Sequence, residues 1–184
     1  MKCSKSGCNE FLSDDHRLTS HLSGLLHKVL RYHDVDGLPQ MVLHEIGHDN
    51  CFGLKKATYL VDNPDFNHLL GVAGYHCDEC CYHKKDLWED PVSFKTDMKD
   101  ANYHNHIKAF LAHSLKRNDI DLTNAKEVVK LGKKIGLAAP QFLSWHMKHG
   151  NHGLLLFEKP EKDLGVWKEG LFSNIAALLS FCGI

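Results

Sequence analysis

The chain has 184 residues, with 22 Lys and Arg against 23 Asp and Glu, a formal charge of −1 and an apolar share of 43%. That length suits one well-buried core, the apolar share excludes wholesale disorder, and the charge balance argues against nucleic-acid or anionic-membrane binding driven by bulk charge. The unusual counts are 15 His and 7 Cys. Histidine is the commonest protein metal ligand and titrates near neutrality, so metal or acid–base chemistry is the first expectation.

In chain order, the periodicity predicts helices nearly throughout. Ser13 can cap a helix with Asp14 and Asp15 in its first turn and an apolar face of Leu18, Leu22, Leu25, Leu26, Val29 and Leu30. Gly37 breaks the chain, and Pro39 suits the first turn of a short apolar helix carrying Met41, Val42, Leu43 and Ile46. A third segment, Leu54 to Val61, stops before Asn63-Pro64, and Asp65 can cap a fourth with Phe66, Leu69, Leu70, Val72 and Ala73. The polar, cysteine-rich stretch from His76 to Ser93 is expected to be a loop. Helical spacing resumes at Asp97 and runs through Met98, Ala101, Ile107, Phe110, Leu111 and Leu115. Thr123 can cap a helix with Val128, Val129 and Ile135 inward, and Pro140 opens Phe142-Leu143-Ser144-Trp145. Leu154 to Phe157 has the character of a short strand, and Val166 to Cys182 of a closing apolar helix. The expected fold is therefore all-α, a single helical domain over residues 1–184 with a cysteine-rich loop.

No apolar run reaches the roughly 18 residues of a membrane span. Met1-Lys2-Cys3-Ser4-Lys5 lacks the apolar stretch of a signal peptide, and the odd cysteine count favours thiols or a metal site over a disulfide framework. A cytoplasmic protein without a membrane partner is expected.

The most informative window is Leu43-His44-Glu45-Ile46-Gly47-His48-Asp49-Asn50-Cys51-Phe52-Gly53. On a helix, His44 and His48 lie one turn apart on the same side and can share a metal. The run matches H-E-x-x-H, in which two histidines bind zinc and the glutamate activates water. A small zinc peptidase is one expectation, with Glu45 as general base, although no third-ligand extension follows and strand signals are sparse.

The same window resembles the HD superfamily of metal-dependent phosphohydrolases, in particular its deoxynucleoside-triphosphate triphosphohydrolase branch. His44-Glu45 stands where that family has His-Asp, the Gly47-His48 and Phe52-Gly53 pairs are similar to its motif, and Arg17-Leu18-Thr19-Ser20-His21 is similar to its helix start. The resemblance covers about residues 16–70. It departs in having Glu for Asp at 45 and a short interval from His21 to His44.

The resemblance implies an HD-like helical bundle and hydrolysis of a nucleotide or nucleic-acid phosphoester. His21, His44, Glu45, His68 and a late Asp, Asp119 or Asp121, would be metal ligands, with His104 as a substitute and His48 assisting at the phosphate. Mixed His and carboxylate ligation suits Mn, Fe, Co, Ni or Zn, and such an ion lowers the pKa of bound water. Cys3 and Cys8 with Cys77 and Cys80 compose two thiolate pairs able to close a tetrahedral structural zinc site. Cys51 and Cys182 are expected to be packing residues. A third expectation is a catalytically silent, zinc-stabilised binding module.

Overall fold

The computed structural model describes residues 6–48, 51–79, 86–118, 120–121, 125–158 and 165–181, with the side chains of 6–17 and 165–169 left aside. Two helices lead, α1 (Ser6–Arg31) and α2 (Leu38–Gly47), followed by a hairpin of β1 (Lys56–Asn63) and β2 (His68–His76). Then come α3 (Pro91–Asp97), α4 (Asn102–Lys108), the two-residue β3 (Leu111–Ala112) and α5 (Ala125–Lys134). A second hairpin, β4 (Pro140–His146) and β5 (His152–Glu158), precedes α6 (Gly165–Ala176), which runs on as a 3-10 turn over Ala177–Phe181. The five strands form one antiparallel sheet in the order β3-β2-β1-β5-β4.

The all-α expectation is therefore corrected: the protein is mixed α and β, not an HD-like helical bundle. Leu54 to Val61 and the stretch from Phe66 to Ala73 form an antiparallel hairpin rather than two helices. Residues 140–146 are an edge strand. The reason is physical. β1 is buried from Ala57 to Val61 and on to Asp62, and its residues, apolar but for Thr58 and Asp62, show no alternation of apolar and polar faces. Periodicity alone cannot separate such a strand from a buried helix. The turn chemistry decides it: the Phe66 amide donates to the Asn63 side chain at 3.2 Å, and Asn67 takes the left-handed backbone (φ 56) that closes the turn. The helix expected to run from Asp97 to Leu115 is instead a 3-10 turn over Met98–Asp100, α4 and β3, and α3 begins at Pro91, inside the stretch expected to be a loop. The expected β5 and α2 form, the closing helix is α only to Ala176 and 3-10 to Phe181 with Cys182 outside the described residues, and Leu18, Leu22, Leu25 and Val29 of α1 are buried, while Leu26 and Leu30 are exposed.

Each face of the sheet carries its own core. On one face Tyr59, Val61, Ala73, Tyr75, Leu155 and Phe157 pack under α1, α2 and the C-terminal segment, where Phe172 meets Phe52 and Phe157 at ring-centroid distances of 4.7 and 4.8 Å. On the other, Leu60, Leu69, Leu154 and Leu156 pack against Ile107 of α4 and Val128 of α5. A bulge at Val72, where the β1–β2 register shifts, turns both Gly71 and Gly74 toward α4. A Cβ at Gly71 would run into the Ile107 carbonyl oxygen, so glycine sets how closely α4 approaches. Replacing Gly71 by Ala is expected to lower stability by about 2 kcal/mol or more, as overpacking against backbone does. Urea unfolding checks this, and an unchanged midpoint would contradict the packing.

Candidate functional site

α2 carries the His-Glu-Ile-Gly-His run and is buried on nearly every side. Gly37 supplies a left-handed entry (φ 93), and Pro39 fits the first turn because it lacks an N–H that would otherwise go unpaired there. The helix ends at Gly47, where a Cβ would lie 2.6 Å from the Tyr75 ring, so this glycine lets the ring lie against the helix. His48 follows with extended backbone, and the chain folds back to satisfy the last carbonyls: Phe52 N–H reaches Ile46 O, Leu54 N–H reaches Gly47 O and Gly53 N–H reaches His48 O.

The two residues at the centre of the motif face different surroundings. His44, 4% exposed, is held edge-on between Tyr75 and Phe94, with ring centroids 5.0 and 5.1 Å away. Glu45, 8% exposed, meets α1 and the segment before α3. Its Oε1 lies 2.9 Å from His21 Nε2 and 3.4 Å from Lys28 Nζ, and its Oε2 accepts the Trp88 indole N–H at 3.0 Å. Lys28 also reaches Asp86 at 3.3 Å and lies over the Trp88 ring. His48 is exposed beyond the helix end.

Burial alone would raise the Glu45 carboxyl, but the hydrogen bonds from His21 and Trp88 and the charges of Lys28 and His21 outweigh it and bring the carboxyl from 4.5 down to about 2. The group is an anion fixed by cationic and N–H donors on both oxygens. That arrangement does not suit a divalent ion, because an ammonium already sits beside the carboxylate where the ion's charge would have to go.

Of the expected hydrolase ligands, the structure brings together His21 and Glu45. His44 lies in the aromatic setting of Tyr75 and Phe94, and His68 is exposed at the start of β2, next to the hairpin turn. Asp119 lies outside the described residues. His104 is a tether between α4 and the sheet: its Nδ1 accepts the Gly74 N–H at 3.3 Å, and burial, with Lys108, brings its pKa down to about 4. Lys28 and Trp88 carry no motif, and only the fold reveals their role at Glu45.

A second cluster stands at the end of β2. Donor atoms of His76, Cys77 and Asp78 all lie within 4.8 Å of one another, a grouping not repeated with three or more His, Cys, Asp or Glu residues elsewhere among the described residues. The Cys77 amide bonds the Lys55 carbonyl at 3.0 Å, and the Asp78 amide donates to His76 Nδ1 at 3.1 Å. Burial, then the adjacent Asp78, pushes the Cys77 thiol above its usual range. The next residue, Glu79, accepts the Tyr103 amide through both oxygens, at 3.0 and 2.9 Å, and ties this turn to the start of α4. Of the expected zinc cysteines, Cys77 is here, Cys3 and Cys80 lie outside the described residues, and Cys8 lies on α1 with its side chain outside them. Cys77 carries a C-x2-C spacing in the sequence, whereas His76 and Asp78 carry only their adjacency to it.

Because the Glu45 carboxyl is held below its ordinary value in the folded protein, its contribution to stability is complete above about pH 4.5 and is lost as pH falls toward about 2. At full strength it is worth about 3 kcal/mol. Glu45→Gln should therefore be less stable than the parent at pH 7, and the gap should close as pH falls through that window. Urea unfolding of both chains across pH 7 to 2.5 checks this, and a gap independent of pH would rule out a stabilising carboxylate.

Among the described residues, no helix is long and apolar enough to cross a membrane. No family model matches the sequence, and no curated protein matches it.

Proposed function

We propose that the protein is a metal-stabilised binding module without catalytic activity, in which a thiophilic divalent ion, foremost zinc, is held at the end of β2. The observation that carries this reading is the mutual approach, within 4.8 Å, of donor atoms from His76, Cys77 and Asp78. An imidazole nitrogen and a thiolate are the donors that structural zinc prefers, and a carboxylate is an accepted third. The sequence continues with Cys80, Cys81 and His83, which supply more donors of the same kind within a few residues. A reducing, cytoplasmic setting keeps such thiols available, in keeping with the free thiols of Cys51 and Cys77. The ion would fasten the turn after β2, which Glu79 already ties to α4.

A second reading, the metal-dependent phosphohydrolase acting on a nucleotide or nucleic-acid phosphoester, has one observation in its favour: His21 and Glu45 meet at 2.9 Å. The Lys28 ammonium on the same carboxylate oxygen weighs against it.

Metal content decides between the two. Elemental analysis of the full chain is expected to give about one zinc more than Cys77→Ser retains, and no loss in Glu45→Gln. Retention in Cys77→Ser with loss in Glu45→Gln, together with nucleotide hydrolysis under Mn or Ni that His44→Ala abolishes, would reverse the order of the two readings.

A further inference from the structure

Six buried side-chain polar atoms lack a hydrogen-bond partner among the described residues, and four of them lie between Trp145 and His152: Trp145 Nε1, Asn151 Oδ1, and both ring nitrogens of His152. His152 is 8% exposed. The ring interacts with the Gly150 backbone without reaching full hydrogen-bond geometry, and a buried imidazole nitrogen left short of a full partner is a state that folded proteins rarely keep without a ligand or water to meet it.

The sheet register places His152 between two groups able to act with it. Its partner on β1 is Asp62 and its partner on β4 is His146, so the three residues form one row across the sheet, on the face that carries Leu60, Leu154 and Leu156. The imidazoles of His146 and His152 lie edge to face with ring centroids 4.7 Å apart, and His146 is exposed. Asp62 is fully buried, and its two oxygens accept the amides of Leu115 and Lys116, each at 3.2 Å. It contributes a fixed negative charge beside the pair rather than a further ligand, set against the positive charge of Lys116, which also acts on His152. The turn that joins the strands is tight, with His149 and Gly150 at φ 58 and 72 and the Met147 amide bonded to the Asn151 carbonyl at 2.9 Å, so the two histidines are held in register.

We propose that His146 and His152 form a metal site separate from the His76–Cys77–Asp78 group, taking a late first-row divalent ion such as Ni²⁺, Cu²⁺ or Zn²⁺ through two imidazole nitrogens. Directly opposed residues on antiparallel strands have Cβ atoms about 4.5–5.5 Å apart, close enough for two imidazoles to share one ion. Imidazole is the ligand type these ions have in common. The exposed His146 gives access from solvent, water completes the coordination shell, and the ion meets the His152 nitrogen that the Gly150 backbone does not engage.

The test uses the full chain carrying Cys77→Ser, so that its outcome does not depend on the thiol-containing site. Calorimetric titration with Ni²⁺ is expected to show one ion bound, with affinity at least tenfold weaker once His146→Ala is added. His146 is exposed, and circular dichroism verifies that this variant folds. Electron paramagnetic resonance of the Cu²⁺ form is expected to show coupling to two imidazole nitrogens in the Cys77→Ser chain and to one after His146→Ala. Absence of Ni²⁺ binding by the Cys77→Ser chain, or an affinity and a nitrogen count that His146→Ala leaves unchanged, would overturn the proposal.

Discussion

Glu45 is a full negative charge placed inside the protein, and much of the surrounding structure is arranged around the need to neutralise it. An isolated carboxylate there would be costly enough to take up a proton. Instead α1 supplies His21 and Lys28, and the segment ahead of α3 supplies the Trp88 indole. Three stretches distant in sequence thereby meet at one pair of oxygen atoms. The same contacts fix the rotation of α2, which sets His44 against Tyr75 and Phe94 and lets Gly47 receive the Tyr75 ring. Removing one partner would leave the others facing an unbalanced charge, which is where buried ion pairs exert their largest effect on stability.

Two chemically different surroundings meet at the end of Tyr75's strand. Tyr75 belongs to the aromatic packing around α2, and its neighbour His76 opens the cluster with Cys77 and Asp78. The Glu79 side chain then ties this turn to α4 through the Tyr103 amide, and the approach of α4 to the sheet depends on Gly71 and Gly74. A metal at this turn would act on the position of α4 through contacts already present. The carboxylate at Glu45 belongs to the packing of α1 and α2, and the donors proposed to hold a metal lie at the strand end.

Part of this was legible in the residues alone. Leu18, Leu22, Leu25 and Val29 give α1 a helical stripe, Gly37 and Pro39 mark the start of α2, and Leu154 to Phe157 gives β5. The sheet was not legible, because β1 is covered on both faces and its apolar run hides the strand period. The proximity of His21 and Glu45 was anticipated from a resemblance in which both would hold a metal. The lysine and the indole that share the carboxylate carry no local sequence signal, since their meeting depends on how α1 and the segment before α3 pack. His146 and His152 had no motif either. Only the register of two strands makes them neighbours.

The donors in contact with Glu45 leave no place for a metal, and the proposed ion sits at His76 and Cys77 instead. The most direct measurement follows the Trp88 indole N–H and the Cys77 amide by heteronuclear NMR during a zinc titration, with the indole assigned through a Trp88→Phe chain. The account predicts that the Cys77 amide moves with zinc and saturates while the Trp88 indole, bonded to Glu45, stays in place. A Trp88 indole that shifts in step with zinc while the Cys77 amide remains still would contradict it.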